Sequence, residues 1–68
     1  MTLSARNQLS GTVESVTLGD IMAHVVVRIG DQQVESIIAR ASAESMKLKK
    51  GDAVRAIVKS TEVMIQKD

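Results

Sequence analysis

The chain has 68 residues, of which 44% are hydrophobic, and it contains no cysteine, phenylalanine, tyrosine or tryptophan. Its length allows one domain, residues 1–68, which buries too small a fraction of its surface to be robust alone. Without cysteine, disulfides and thiolate metal sites are excluded, so oligomerisation is the support we expect. Nine basic and eight acidic residues give a net charge of +1, which excludes the basic excess typical of polyanion-binding proteins.

The hydropathy pattern indicates neither a membrane span nor an export signal. The sequence has no apolar run long enough for a transmembrane helix. The first residues, MTLSAR, lack the apolar stretch of a secretory signal, so we expect a cytoplasmic protein.

The first half of the chain predicts three strands in a meander. Residues 8–18, QLSGTVESVTL, are rich in small and β-branched residues, and strict alternation would place Val13, Ser15 and Thr17 on one face. Gly11 within this run predicts a bulge or a tight bend. Turn signals then separate it from two further predicted strands, residues 22–29 and residues 33–38.

The second half predicts a helix followed by two strands. Residues 40–48, RASAESMKL, change to a helix-forming composition and predict two to three turns. The turn at Gly51 leads into a predicted strand over residues 53–59, and a last strand is expected over residues 62–65. The order β-β-β-α-β-β is that of an all-β, five-stranded OB-like barrel with one short helix between strands 3 and 4.

A polar segment, Ser4-Ala5-Arg6-Asn7-Gln8, precedes the first strand. In an extended chain Ser4 and Arg6 project to the same side, and a hydroxyl beside a guanidinium suits the oxygens of a tetrahedral anion. On composition alone, however, a frayed polar N-terminus is the better interpretation.

Two other segments offer donors for an anion. Lys59-Ser60-Thr61 combines an ammonium group, two hydroxyls and backbone N–H groups at a strand junction. Residues 19–24, GDIMAH, place a turn before the single histidine and are also compatible with a second anion site. Taken alone, each is better interpreted as an ordinary turn.

Other chemistry is less well supported. Lys47, Lys49 and Lys50 are most simply a solvated helix end, since single-strand nucleic-acid binders stack bases on aromatic side chains that are absent here. The chain has no glycine-rich phosphate loop, paired-histidine motif or nucleophile elbow, so we do not expect an enzyme.

Two separated segments carry a family resemblance. Residues 4–11, SARNQLSG, resemble the N-terminal signature of the molbindins, which are small molybdate-binding proteins of the transport-associated OB (TOBE) type. Residues 59–65, KSTEVMI, are similar to the matching C-terminal signature, and the stretches at residues 23–29 and 36–39 resemble the family's central part. The likeness covers essentially the whole chain.

The resemblance implies an OB-like barrel with strands exchanged between two chains, and three such dimers in a hexamer. It implies that molybdate or tungstate is held at subunit interfaces as an oxyanion, without a directly ligated metal or a prosthetic group, for molybdenum storage or homeostasis. One kind of site would combine segments of two chains, namely Ser4, Ala5 and Arg6 with Lys59, Ser60 and Thr61. A second kind would lie around Ile21, Met22, Ala23 and His24.

Two alternatives remain open on sequence grounds. One is an OB-fold module that binds single-stranded nucleic acid, against which the missing aromatic residues count. The other is a ligand-sensing assembly domain, which would differ from a storage protein in needing its ligand to form the oligomer.

Overall fold

The computed structural model describes residues 6–68, and these form an antiparallel sheet with one short helix. The elements, in chain order, are β1 (Asn7–Leu18), β2 (Met22–Ile29), β3 (Gln32–Ala39), α1 (Arg40–Ser45), β4 (Ala53–Val58) and a single 3-10 turn (Ser60–Glu62). The predicted meander and the position of the helix are confirmed. The helix has six residues, too few to cross a membrane, and no helix of the described residues is long and apolar enough to do so.

The long first strand holds the sheet together because it pairs with two neighbours. The strand order is β3-β2-β1-β4. The first half of β1 pairs with β4 and the second half pairs with β2, and both pairings include Thr12. At the changeover, a Cβ added to Gly11 would lie 2.5 Å from the carbonyl oxygen of Arg28, so the bend is closed by backbone contact that excludes any side chain.

A β-bulge interrupts β1 immediately after this bend. The register with β2 shifts between Val13 and Ser15, which leaves Glu14 as the extra residue. Glu14 accepts hydrogen bonds from Arg28, at 2.5 Å from its Nη2, and from Gln33 on β3. The prediction that strict alternation runs through the whole strand is therefore wrong beyond Val13, and Val16 rather than Ser15 packs against the core.

The core is aliphatic and lies on the inner face of the curved sheet. Val13, Val25 and Val27 are buried at its centre, and half-buried aliphatic side chains from all four strands and the turn before β4 pack against them: Val16, Ile29, Ile38, Leu48 and Val54. Val26, between the two buried valines of β2, is half-buried, so the three-valine run is covered more completely on one face than on the other.

The helix ends earlier than the predicted residue 48. Lys47 has a φ of 54°, in the left-handed region, and its N–H donates to the carbonyl of Glu44. Leu48 N–H donates to the carbonyl of Ala43 at 3.1 Å. These two bonds form a Schellman motif, in which glycine usually occupies the position of Lys47. The hydrophobic contact of this motif turns Leu48 toward the core, and the helix is shorter for that reason.

The turn between α1 and β4 is fastened to the bulged part of β1. Gly51 N–H donates to the carbonyl of Val13 at 2.8 Å, and Val13 N–H donates to the carbonyl of Asp52 at 2.9 Å. The Asp52 carboxylate accepts from the backbone N–H of Lys49 and lies 3.1 Å from its Nζ. Hydrogen bonds from the side chain and the backbone of Lys49 hold the pKa of Asp52 below its ordinary value.

The predicted fifth strand is not formed in this chain. After β4 the chain makes the 3-10 turn and continues without secondary structure, so the described residues contain four strands. Val63 has an extended backbone, with φ −93° and ψ 124°, but no strand pairs with it. Val63, Met64 and Ile65 are 47%, 92% and 88% exposed. The residues have strand character, but among the described residues they pair with neither of the two edge strands, β3 and β4.

Candidate functional site

The start of β1 and the end of β4 meet at one end of the sheet. Asn7 pairs with Val58 and Gln8 with Ile57, so the next position along this antiparallel register places Arg6 opposite Lys59. Cross-strand neighbours have Cβ atoms about 5 Å apart. The paired residues end at Asn7 and Val58, so Arg6 and Lys59 are the next positions at this end of the sheet within one chain, and the site shared between two chains stays a prediction. Ser4 and Ala5 lie outside the described residues.

The two cations at this end, Arg6 and Lys59, are exposed. Within residues 6–68, neither Arg6 nor Lys59 takes part in an ion pair. Two neighbouring positive charges repel each other, and an anion between them would remove that repulsion. A guanidinium fork next to an ammonium group gives charge-assisted donors, which are the stronger class of hydrogen bond.

Hydroxyl groups follow directly in the 3-10 turn. Glu62 N–H donates to the carbonyl of Lys59 at 2.9 Å, which closes the turn around Ser60 and Thr61. Both hydroxyl residues are exposed, next to Lys59. Glu62 is also exposed in this turn, and its carboxylate opposes an anion bound nearby. The arrangement offers several donors with limited net positive charge.

The other predicted anion-binding segment lies at the opposite end of β1. Residues 19–21 connect β1 to β2, and Ile21 and Met22 are 77% and 45% exposed. Ala23 is 1% exposed, so both its side chain and its backbone are buried within this chain. His24 is half-buried, and its Nε2 lies 2.7 Å from Oε1 of Glu35 on β3. The exposed part of this segment is therefore the turn rather than Ala23 or His24.

Arg40 was not singled out by the sequence, and it organises this turn. Its backbone N–H donates to the carbonyl of Ile21 at 2.7 Å, and its Nη1 donates to the carbonyl of Gly19 at 3.0 Å. Its Nε lies 3.1 Å from Oε1 of Glu44, one helical turn further on. No local sequence signal points to these contacts, since Arg40 is separated from Gly19 by 21 positions.

The basic cluster after the helix has no comparable organisation. Lys49 is paired with Asp52, and Lys47 occupies the left-handed position that ends α1. Lys50 is exposed in the same turn. Among residues 6–68, no three histidine or acidic side chains are grouped as metal ligands would be.

An apolar groove was also missed by the sequence analysis. A cavity of about 350 Å³ opens between β3 and β4, the two outer strands of the sheet. Its lining consists mainly of aliphatic side chains from the inner faces of these strands, including Val34, Ile38, Val54, Ala56 and Val58. Because β3 and β4 are not paired with each other, both present unpaired backbone edges to the groove.

Comparison with known proteins gives consistent results over nearly the whole chain. A family model of the TOBE domain matches residues 3–65. "Molybdenum-pterin-binding protein 3" of Clostridium pasteurianum is 47% identical over 66 residues, which are 96% of this chain and 97% of that protein. Its length is thus matched almost completely.

Two solved structures share the fold. A molybdate-binding protein from Sporomusa ovata superposes with a TM-score of 0.94 at 34% identity, covering 98% of this chain and 100% of that one. MopII from Clostridium pasteurianum gives a TM-score of 0.90 at 43% identity, with 97% and 100% covered. The resemblance noted in the sequence is confirmed, and the chain belongs to the TOBE-domain family that includes the molbindins and molybdenum-pterin-binding proteins.

Proposed function

We propose that this protein binds molybdate or tungstate as an oxyanion and serves in intracellular storage or homeostasis of molybdenum. The observation that supports the proposal is the β1–β4 register, whose continuation past Asn7 and Val58 would set Arg6 opposite Lys59, next to the hydroxyls of Ser60 and Thr61. The names of the relatives support molybdate as the anion. No catalytic role is part of the proposal.

The chemistry of the donors suits this ligand. Molybdate is a tetrahedral dianion whose oxygens accept hydrogen bonds and donate none. Arg6 and Lys59 would supply charge-assisted bonds, while Ser60, Thr61 and the Ser4–Ala5 segment would add neutral donors. Because Glu62 lies near the two cations, the positive potential of the site is moderate. A moderate potential suits a storage protein, which must release its anion as well as bind it.

The assembly proposal rests on a groove without an occupant and a segment without a partner. Val63, Met64 and Ile65 are apolar and exposed, and Val63 has an extended backbone. The groove between β3 and β4 is apolar and bounded by two unpaired strand edges. We propose that residues 62–65 of one chain enter this groove in a second copy as its fifth strand. The site at Lys59–Thr61 would then lie where the chain crosses between subunits.

Further contacts would join such dimers into a hexamer. Met22 and Ile37 are 45% and 61% exposed, and their positions in the β2–β3 register place both on the outer face of the sheet. Aliphatic side chains left exposed on a strand face favour association with another surface. The proposed second kind of oxyanion site, around Ile21, Met22, Ala23 and His24, is at the same end of the sheet.

Calorimetric titration of the assembled protein with sodium molybdate tests the binding proposal. We expect saturable binding that tungstate competes for and that phosphate affects much less. Arg6→Ala and Lys59→Ala should each weaken binding by roughly 10- to 100-fold, the loss of one charge-assisted bond of about 1.5–3 kcal/mol. Lys50→Ala, which removes the same charge from a turn remote from the site, is the matched control and should leave affinity unchanged.

Two results would contradict the proposal. Absence of binding at millimolar molybdate by the intact oligomer removes the ligand assignment. Unchanged affinity in both Arg6→Ala and Lys59→Ala, with binding retained, moves the site away from this end of the sheet. Measuring the mass of the assembly with and without molybdate separates storage from ligand-driven assembly, because a storage hexamer should persist without its anion.

A further inference from the structure

Arg55 on β4 differs from Arg28 and Arg40 in its charge partners. Arg28 and Arg40 each form an ion pair with a glutamate. Arg55 takes part in none of the ion pairs formed within residues 6–68, and it is exposed. Its positive charge therefore acts on the surrounding solvent rather than on a neighbouring carboxylate.

The face of the sheet that carries Arg55 has no acidic side chain between the two strands. The outer face of the β1–β4 ladder is formed by exposed residues that pair across the strands: Gln8 with Ile57, Ser10 with Arg55 and Thr12 with Ala53. Of these six side chains, only that of Arg55 is charged. A lone positive charge on such a face gives a positive potential that reaches into the solvent.

The guanidinium of Arg55 is directed toward the end of the sheet where Arg6 and Lys59 lie. Ser10 is the residue directly opposite Arg55, yet Nη1 of Arg55 lies 3.5 Å from Oε1 of Gln8, two residues closer to that end. Two residues of strand span about 7 Å, so the guanidinium is on the order of 10 Å from an anion held by Arg6 and Lys59. That separation is too long for a hydrogen bond and is close to the Debye length of about 8 Å at physiological salt.

We infer that Arg55 is a steering residue for the oxyanion site: its charge attracts the incoming dianion toward Arg6 and Lys59 and does not contact the bound one. The inference rests on the proposed function and adds a residue that the family resemblance did not select. A charge at the rim of a site acts chiefly on the rate of association and its salt dependence, whereas a group that bonds the ligand acts on the rate of dissociation. Because the attraction scales with the charge of the ligand, it favours doubly charged oxyanions.

An exposed charge on β4 also has a purely structural explanation. β4 is an outer strand of the sheet, and charged side chains on such strands discourage pairing with other chains. Steering and edge protection make different predictions, because protection of an edge affects self-association but not how the rate of anion capture varies with salt. The salt dependence of the association rate is therefore the measurement that separates them.

Nuclear magnetic resonance line-shape analysis of the ¹⁵N-labelled oligomer, titrated with sodium molybdate, tests the inference. The amide signals of residues 59–61 give the dissociation constant and the dissociation rate, and their ratio gives the association rate. At about 10 mM salt, Arg55→Gln should lower the association rate by about threefold and Arg55→Glu by about tenfold, with the dissociation rate unchanged. At about 0.5 M salt, where the Debye length is about 4 Å, both variants should match the wild type within about 1.5-fold.

Arg55→Lys and Lys50→Gln are the matched controls. Arg55→Lys keeps the charge, so its association rate should remain near that of the wild type. Lys50 is an exposed cation in the turn before β4, whereas Lys59 follows the other end of that strand, so Lys50→Gln should change neither rate. Urea denaturation of each variant checks that the fold is retained.

Two results would overturn the inference and leave the proposed function standing. One is an association rate that Arg55→Gln and Arg55→Glu leave unchanged at low salt while Arg6→Ala still weakens binding. The other is a higher dissociation rate in Arg55→Gln, which would make Arg55 a direct ligand of the anion. If no amide signal of the wild type responds to millimolar molybdate, the inference and the proposed function fail together.

Discussion

The three-strand meander and the last residues of the chain are built from similar side chains but end in different states. In β2, the apolar residues Val25 and Val27 are buried, with strand partners on both sides. Val63, Met64 and Ile65 are of the same chemical kind and stay exposed. The difference teaches that residue type decides whether a segment is suited to a strand, and hydrogen-bonded pairing with another strand decides whether it becomes one.

Removing the C-terminal segment tests this contrast with the largest expected effect. A chain that ends at Glu62 loses three apolar side chains, each worth about 1.5 kcal/mol or more when buried. If these residues pair with a second copy, the dissociation constant of the dimer should rise by about a thousandfold or more. Light scattering after size exclusion would detect the smaller mass, and a chain lacking residues 67 and 68 alone is the control. An unchanged mass would show that the segment does not hold the assembly.

The closed bend of β1 should be the most sensitive point within the meander itself. In Gly11→Val the new Cβ would lie 2.5 Å from the Arg28 carbonyl oxygen and 2.8 Å from Val27 Cγ1. The clash with the carbonyl oxygen can be relieved only by moving the backbone of β2. We expect a loss of about 3 kcal/mol in the free energy of unfolding, as for severe overpacking. Urea denaturation followed by circular dichroism measures it. Ser10→Val, at an exposed neighbouring position, should cost far less, and equal losses would refute the explanation.

The turn that ties α1 and β4 to the bulge should make stability depend on pH. The pKa of Asp52 is lowered in the folded state, so this group stabilises the fold above its ordinary pKa of 3.8 and that contribution is lost as pH falls through the folded-state value. Asp52→Asn should therefore be less stable than the wild type at neutral pH. The difference between their urea midpoints should shrink in acid, and a difference constant with pH would contradict this account.

The smallest expected effect is at the end of α1, where a substitution should raise the free energy of unfolding rather than lower it. Lys47 occupies a left-handed conformation, which costs a side-chain-bearing residue about 1 kcal/mol relative to glycine. Lys47→Gly should raise the free energy of unfolding by about 0.5–1 kcal/mol, part of the relief being offset by greater freedom in the unfolded chain. Lys47→Ala, which loses the charge without relieving the backbone, should show no such gain in the same denaturation experiment.

Local patterns were sufficient to predict most of the fold. β-branched runs separated by glycine turns predicted β1, β2 and β3 nearly to the residue, because hairpins are governed by contacts between neighbours in sequence. The end of the helix at Lys47 was not predicted, since the deciding interaction is the burial of Leu48 against a core assembled from distant strands. The sequence predicted a bulge or a tight bend at Gly11, and the bulge itself lies three residues later, at Glu14.

For the candidate site too, the sequence predicted some features and not others. Arg6, Lys59 and Ser60 were selected through the family resemblance, and composition alone would have left them as polar ends. What the sequence lacked was their juxtaposition, which depends on β1 pairing with β4 across some 50 positions of chain. Arg40 was missed altogether, because its partners in the turn come from a different hairpin.

The bulge at Glu14 shifts the inward–outward alternation of β1 by one residue number. Before it, core-facing residues fall on odd numbers, as at Val13, and after it they fall on even numbers, as at Val16. Deleting Glu14 would give an unbroken alternation with the same faces, Val13 and Val16 inward and Ser15 outward, because the bulge already absorbs this one extra residue. The bulge therefore lets β1 carry one residue more than β2 without reversing its faces, and a single-codon deletion at Glu14 should cost mainly the bonds of Glu14 to Arg28 and Gln33.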